Sequence, residues 1–288
     1  MKNGSPLDMA SLSEALSEFG TVVVTGGSSG IGKSFISTMG SLRPELEFFN
    51  LSRRAPDIND SKLNLRHFPC DLAQPLQVET VAAQLEEILN HGQPAGKILL
   101  INNSGFGSYG AFPEPNLAHQ LGMIDVNMRA LVQLTGLLLP VLRARGGVIM
   151  NIASTAAFQP TPWMATYGAT KAFVLHWSLA LDEDLRGSGV RALAVCPGPT
   201  ATNFFKAAGL RQSLLPADSR ETCEQVVMNS LHALAAGKGQ VVSGWRNKIL
   251  ASIGARVPKP LATRIAAKVI AHYRPSPHST GSGQAEKP

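Results

Sequence analysis

Thr21-Val22-Val23-Val24-Thr25-Gly26-Gly27-Ser28-Ser29-Gly30-Ile31-Gly32 decides the fold of this chain, because it passes from a β-branched strand through a glycine-rich turn into a helix. Glycine serves where backbone turns tightly and must approach a ligand without a Cβ. The helix expected over residues 31–41 offers unpaired N–H groups and a positive dipole end to a pyrophosphate. Gly26, Ser28, Ser29, Gly30, Ile31 and Gly32 are therefore candidate contacts for a dinucleotide. Such a turn alone is weak evidence; a strand before it and a helix behind it, at the head of a repeating series, make it strong.

Outward from that turn, apolar β-branched runs alternate with helical patterns from about residue 20 to about residue 242. Strands are predicted at 21–24, 46–51, 65–68, 97–101, 147–152, 190–195 and 240–242, and helices at 31–41, 75–90, 116–143, 167–186 and 221–235. This alternation predicts an α/β fold, a Rossmann-type doubly wound parallel sheet with helices on both faces. The expected organisation is an N-terminal extension at 1–18, a catalytic domain at 19–244 with a lid at about 198–220, a basic amphipathic segment at 245–274 and a disordered tail at 275–288.

The second strand ends in Leu51-Ser52-Arg53-Arg54. NAD enzymes place a carboxylate at that end to hold the ribose hydroxyls. Here none is present, and two guanidiniums can grip a phosphate by forked hydrogen bonds. Ser52, Arg53 and Arg54 thus favour NADP(H) over NAD(H).

Ser154 follows the strand Val148-Ile149-Met150-Asn151-Ile152, and Tyr167 and Lys171 stand four apart in a helical pattern, on one face. An ammonium about 4 Å from a phenol, at an effective dielectric of about 20, favours the phenolate by about 4 kcal/mol before desolvation. The expectation is a Tyr167 acidified enough to trade a proton near neutral pH.

The whole chain sets the bounds. Its 288 residues, 44% hydrophobic and 16% charged, describe a globular protein. Cys70, Cys196 and Cys223 have no metal or disulfide spacing, which fits a reducing compartment and assigns them to packing. No metal is expected. Residues 1–19 read as neither signal peptide nor anchor, and the apolar run at 130–142 falls short of a membrane span. The net charge of +6 concentrates at 245–274, where Arg246, Lys248, Arg256, Lys259, Arg264, Lys268 and Arg274 meet no Asp or Glu. No nucleic-acid recognition motif accompanies them, so nucleic acid is not expected as a partner.

Across about residues 19–245 the chain resembles the single-domain, NADP-preferring branch of the short-chain dehydrogenase/reductase family. Thr-Gly-x-x-x-Gly-Ile-Gly, Asn102-Asn103-Ser104-Gly105, Asn127, Ser154, Tyr167-x-x-x-Lys171 and Pro197-Gly198 occur in that family's order and spacing. Ser104 departs from the Ala more usual there. The resemblance implies that Asp71 and Leu72 contact the adenine, that Asn103, Ser104 and Gly105 floor the cleft, and that Pro197, Gly198, Thr200 and Thr202 lie along the nicotinamide. Tyr167 would be the general acid/base, Ser154 would hold the carbonyl oxygen, and Lys171 would tune the phenol and bind the nicotinamide ribose. Asn127 would order a water that feeds protons to Lys171.

The implied activity is NADP(H)-dependent interconversion of a carbonyl and an alcohol, with a non-catalytic NADP(H)-binding regulator or scaffold as the alternative. Phe106, Tyr109, Phe112, Phe158, Trp163, Phe204 and Phe205 suggest a lipophilic substrate. Many relatives pair subunits through the helices that carry Asn127 and Tyr167, so a homodimer or homotetramer is expected. The expected location is cytoplasmic, or peripheral at a membrane through residues 245–274. On a helix from Pro260, Leu261, Ile265, Val269 and Tyr273 share one arc and Arg264 and Lys268 another. Whether that arc meets a membrane, a partner subunit or the protein itself is open at this level.

Overall fold

The computed structural model describes residues 8–91, 95–202, 204, 208 and 220–271. Seven strands form one parallel sheet: β1 (Phe19–Thr25), β2 (Glu47–Ser52), β3 (Asn64–Pro69), β4 (Lys97–Asn102), β5 (Gly147–Ile152), β6 (Val190–Cys196) and β7 (Gln240–Val242). Their order is β3-β2-β1-β4-β5-β6-β7, with the order reversing between β1 and β4. A reversal of this kind opens a crevice at the carboxyl ends of the strands, where ligands of such sheets bind.

Alternate residues of each strand feed opposite layers. Val23, Ile98, Leu100 and Ile149 meet helices α3 (Pro75–His91) and α5 (Ala130–Arg145) on one face. Val22, Val24, Leu99, Ile101 and Met150 meet α1 (Met9–Ala15), α2 (Gly30–Leu42) and α7 (Cys223–Ala235) on the other. The apolar character of the inner strands on both faces follows from this double cover. Residues 8–18, set apart from the catalytic domain by sequence, fold into that second layer, with Leu12 and Leu16 buried.

The long helix expected at 116–143 runs from Leu117 to Arg145 as 29 residues, long and apolar enough to cross a membrane by length and composition. Leu131, Leu134, Leu138, Val141 and Leu142 bury its second half in the core. It is interrupted: α4 (Leu117–Ile124) gives way to one π turn, Asp125–Arg129, before α5. That widened turn carries Asn127. The chain then continues through a 3-10 turn (Thr155–Phe158) and α6 (Ala165–Asp184), and closes in α8 (Trp245–Arg256) and α9 (Lys259–Ala271). The expected tail at 275–288 and most of the expected lid, residues 203, 205–207 and 209–219, lie outside the described residues.

Candidate active site

The glycine turn is held open by two constraints. Gly26 has φ 72°, a left-handed conformation that glycine tolerates. At Gly32 a Cβ would come within 2.5 Å of the Gly26 carbonyl and of Asn103 Nδ2, so the first turn of α2 can pack against the loop only without a side chain. Ser29 stands at the N-cap in extended conformation and makes no capping hydrogen bond from its side chain. The first-turn amides therefore have no side-chain cap, which suits an anion.

Two networks lock this turn to its neighbours. Gly26 N–H donates to Leu51 O at 2.8 Å and Gly27 N–H to Asn50 Oδ1 at 2.8 Å. Asn50 Nδ2 donates to Ser52 Oγ at 2.9 Å, and Ser52 Oγ to Arg54 O at 2.7 Å. The loop bearing Arg53 and Arg54 is thereby coupled to the glycine turn, and both guanidinium side chains stay exposed at the cleft edge. On the other side Asn103 Nδ2 donates to Thr25 O at 2.9 Å, while the amides of Asn103 and Ser104 both donate to Thr25 Oγ1 at 3.0 Å.

One cleft of about 690 Å³ gathers the residues singled out by sequence. Gly26, Ser28, Ser29, Gly30, Ile31, Ser52, Arg53, Arg54, Asp71, Leu72, Asn103, Ser104, Gly105, Ser154, Tyr167, Lys171, Pro197, Gly198, Thr200 and Thr202 all line it. Two do not. Gly32 lies beneath the turn, as its contacts require, and Asn127 lies behind the wall. Among the described residues, Asp71 is the only carboxylate lining the cleft, and no group of His, Cys, Asp and Glu suited to a metal ion occurs. With glycines where a Cβ would collide, an uncapped helix start and a basic end, the cleft fits a phosphorylated dinucleotide.

At the inner end, Ser154 caps the 3-10 turn, its Oγ accepting from Ala156 N–H at 3.1 Å, and it lies close enough to the Tyr167 phenol to lower its pKa. Capping and facing the cleft are thus compatible. Tyr167 and Lys171 are buried one turn apart on α6, with Lys171 Nζ 5.9 Å from the phenol ring centroid. The ammonium donates to Ile152 O at 2.7 Å.

The expected acidification of Tyr167 is reversed. Burial pushes the phenol up to about 12, against a smaller lowering by Ser154. Burial likewise pulls the Lys171 ammonium down to about 8. Desolvation is the largest cause of both shifts, and the expectation from sequence was made before counting it.

Asn127 does not face the cleft. Its Oδ1 accepts from Phe106 N–H at 3.1 Å, and its Nδ2 donates to Phe106 O at 2.9 Å and Thr170 Oγ1 at 3.0 Å. It thereby ties the loop after β4 to α6. Of the aromatic residues expected around a substrate, Phe106 and Phe204 line the cleft, with Phe204 5.1 Å from the Tyr167 ring. Phe112 is exposed, Phe158 packs in the core beside α6, and Phe205 lies outside the described residues. Asn50 and Ile270 were missed by sequence. An Asn inside a buried apolar strand was the available signal for the first; for Ile270, on a helix distant in sequence, there was none.

The family model for short chain dehydrogenases matches residues 20–213. A very-long-chain 3-oxoacyl-CoA reductase-A of Danio rerio is 30% identical over 247 residues, covering 80% of this chain and 74% of that protein. A serine 3-dehydrogenase of Agrobacterium fabrum (strain C58) is 31% identical over 187 residues, covering 64% of this chain and 74% of its own. Among solved structures, a short-chain dehydrogenase from Sphingobium yanoikuyae in complex with NADPH superposes with TM-score 0.69 at 26% identity, covering 92% of this chain and 98% of that one. Because the matched span runs from the glycine turn past the helix of Tyr167 and Lys171, the likeness covers the cleft itself, and the chain belongs to the short-chain dehydrogenase/reductase family of oxidoreductases.

Proposed function

We propose that this protein is an NADPH-dependent carbonyl reductase acting on a lipophilic ketone or aldehyde, with 3-oxoacyl compounds the first class to try. The observation that carries this reading is that Ser154, Tyr167 and Lys171 share one cleft with the glycine turn and the Arg53-Arg54 pair. A regulator that only bound nucleotide would need no phenol at that place, which favours the enzyme over the scaffold.

The glycine turn and the start of α2 would hold the pyrophosphate, and Arg53 and Arg54 the 2′-phosphate. Asp71 and Leu72 would border the adenine, with Asn103 to Gly105 and Pro197 to Thr202 along the rest of the dinucleotide. When bound, the reduced nicotinamide supplies a hydride. Ser154 holds the substrate oxygen by a hydrogen bond, and Tyr167 delivers a proton to that oxygen as negative charge builds on it. Lys171 contributes its charge to the phenol and its N–H groups to the ribose. Asn127 keeps the loop of Phe106 and the helix of Tyr167 in fixed relation. Support for NADPH comes from the Sphingobium relative's complex, and for an acyl substrate from the Danio relative's name together with Phe106, Met164, Phe204 and Ile270 in the cleft.

A homo-oligomer is part of the proposal. Leu121, Ile124, Val132 and Leu137 of the long helix and Leu179 of α6 are each more than a third exposed, an apolar face suited to a second copy.

The test is consumption of NADPH and of NADH across aldehydes, ketones, 3-oxoacyl thioesters and steroids. Turnover of at least one lipophilic carbonyl with NADPH favoured is expected. Tight NADPH binding without turnover of any would move the protein to the scaffold class.

A further inference from the structure

The two C-terminal helices turn their large apolar side chains away from the protein. On α8, Trp245, Ile249 and Ile253 stand at intervals of four with Leu250 beside them, and on α9 Leu261, Ile265 and Val269 repeat that interval. All seven are more than half exposed. The residues facing the body are small or polar: Asn247, Ala251 and Gly254 from α8, Ala262 from α9.

This orientation is fixed by contacts. Asn247 Nδ2 donates to Glu221 Oε2 at 3.0 Å and Ser243 O at 2.9 Å. Gly254 packs so closely on Gln159 that a Cβ would meet its Oε1 at 2.6 Å. Lys259 Nζ donates to Phe158 O at 2.8 Å and Gly254 O at 3.2 Å, and Tyr109 OH to Ile270 O at 3.0 Å. The helices dock on the protein by one face and hold an apolar stripe outward by the other.

Basic side chains flank the apolar ones on α9 and are interspersed among them on α8. Arg246, Lys248, Arg256, Lys259, Arg264 and Lys268 are all exposed, and no Asp or Glu lies between residues 245 and 271. The Arg246 guanidinium sits 5.3 Å over the Trp245 ring, cation and indole side by side. A second copy on this face would set the same cations against each other. Apolar side chains rimmed by cations, led by a Trp, suit the boundary between lipid headgroups and acyl chains.

We propose that α8 and α9 together dock the protein on an anionic phospholipid membrane, with the stripe sunk among the acyl chains and the cations on the headgroups. Ile270, at the end of α9, also lines the cleft, so docking sets the cleft beside the bilayer surface. The docking stands on the surface alone; entry of substrate from the lipid rests on the carbonyl reductase reading.

The experiment is co-sedimentation of the full chain with phosphatidylcholine vesicles with and without phosphatidylserine, at low and high salt. Binding to the serine-containing vesicles is expected, weaker by at least about tenfold without the anionic lipid or in high salt. Two variants should lose it by a similar factor: Ile249→Ser with Ile253→Ser, Leu261→Ser and Ile265→Ser, and separately Arg246→Gln with Lys248→Gln, Arg264→Gln and Lys268→Gln. Both should keep the melting temperature and the NADPH turnover of a water-soluble ketone. A wild-type protein that stays in the supernatant overturns the proposal, as do variants that bind like wild type or lose self-association in sedimentation velocity instead. If the ketone is not turned over even by wild type, the catalytic reading fails while vesicle binding still decides the docking.

Discussion

Lys171 and Tyr167 illustrate how burial sets the protonation of neighbouring groups. With the ammonium pulled down to about 8 and the phenol pushed up to about 12, both are neutral between those values. A dinucleotide brings anionic phosphates and ribose oxygens that prefer the charged Lys171. Below about 8 the ammonium is already present; above it, binding must include proton uptake. NADPH affinity is therefore expected to weaken as pH rises through about 8, and the Lys171→Met variant to lose that step; fluorescence titration across pH measures it. At the adenosine end, Arg53→Gln with Arg54→Gln should weaken NADPH by at least about tenfold and leave NADH within about twofold, read as dissociation constants for the two cofactors.

At the scale of elements, the start of α2 depends on an absent side chain. The Gly32→Ala variant would drive a Cβ into the backbone carbonyl of Gly26 and shift the turn, so cofactor affinity should fall more than thermal stability does. Calorimetry of the apo protein beside an NADPH titration separates the two. Helix α1 makes a different demand. Leu12 is fully buried against the α2 and α7 layer, and Leu12→Ala should cost about 2–5 kcal/mol in denaturant unfolding with little change in NADPH affinity. A loss near zero would return residues 8–18 to the status of an appendage. These elements also show how far periodicity reaches. The seven strands fall within two residues of their predicted bounds; most are apolar runs, while β3 (Asn64–Pro69), polar and without a β-branched residue, stands out by its place in the strand-helix alternation. The break at Asp125–Arg129 leaves no such mark, since a π turn keeps the helical pattern and only rotates α5 relative to α4. For α9 the pattern distinguished an apolar arc from a basic one, yet the small residues turned inward, because contacts with Tyr109 and Phe158 choose the face and no local pattern encodes them.

For the whole molecule, sheet order does what no single motif can. The reversal between β1 and β4 brings residues from five strand ends to one crevice, so Gly26, Arg53, Gly105, Ser154 and Pro197 become neighbours despite their separation in sequence. Those residues are legible in the sequence because their types and order recur together. Asn50 and Ile270 are not, since one acts by joining two loops and the other arrives on a helix distant in sequence. All of it converges on the phenol. The decisive measurement is the turnover number of Tyr167→Phe against wild type on the best carbonyl substrate, with NADPH binding tracked in the same samples. A fall of about 10²–10⁴-fold with NADPH affinity within about twofold is the predicted result. Turnover that survives the loss of the hydroxyl would contradict the assignment of Tyr167 as the proton donor and, with it, the proposed chemistry of the cleft.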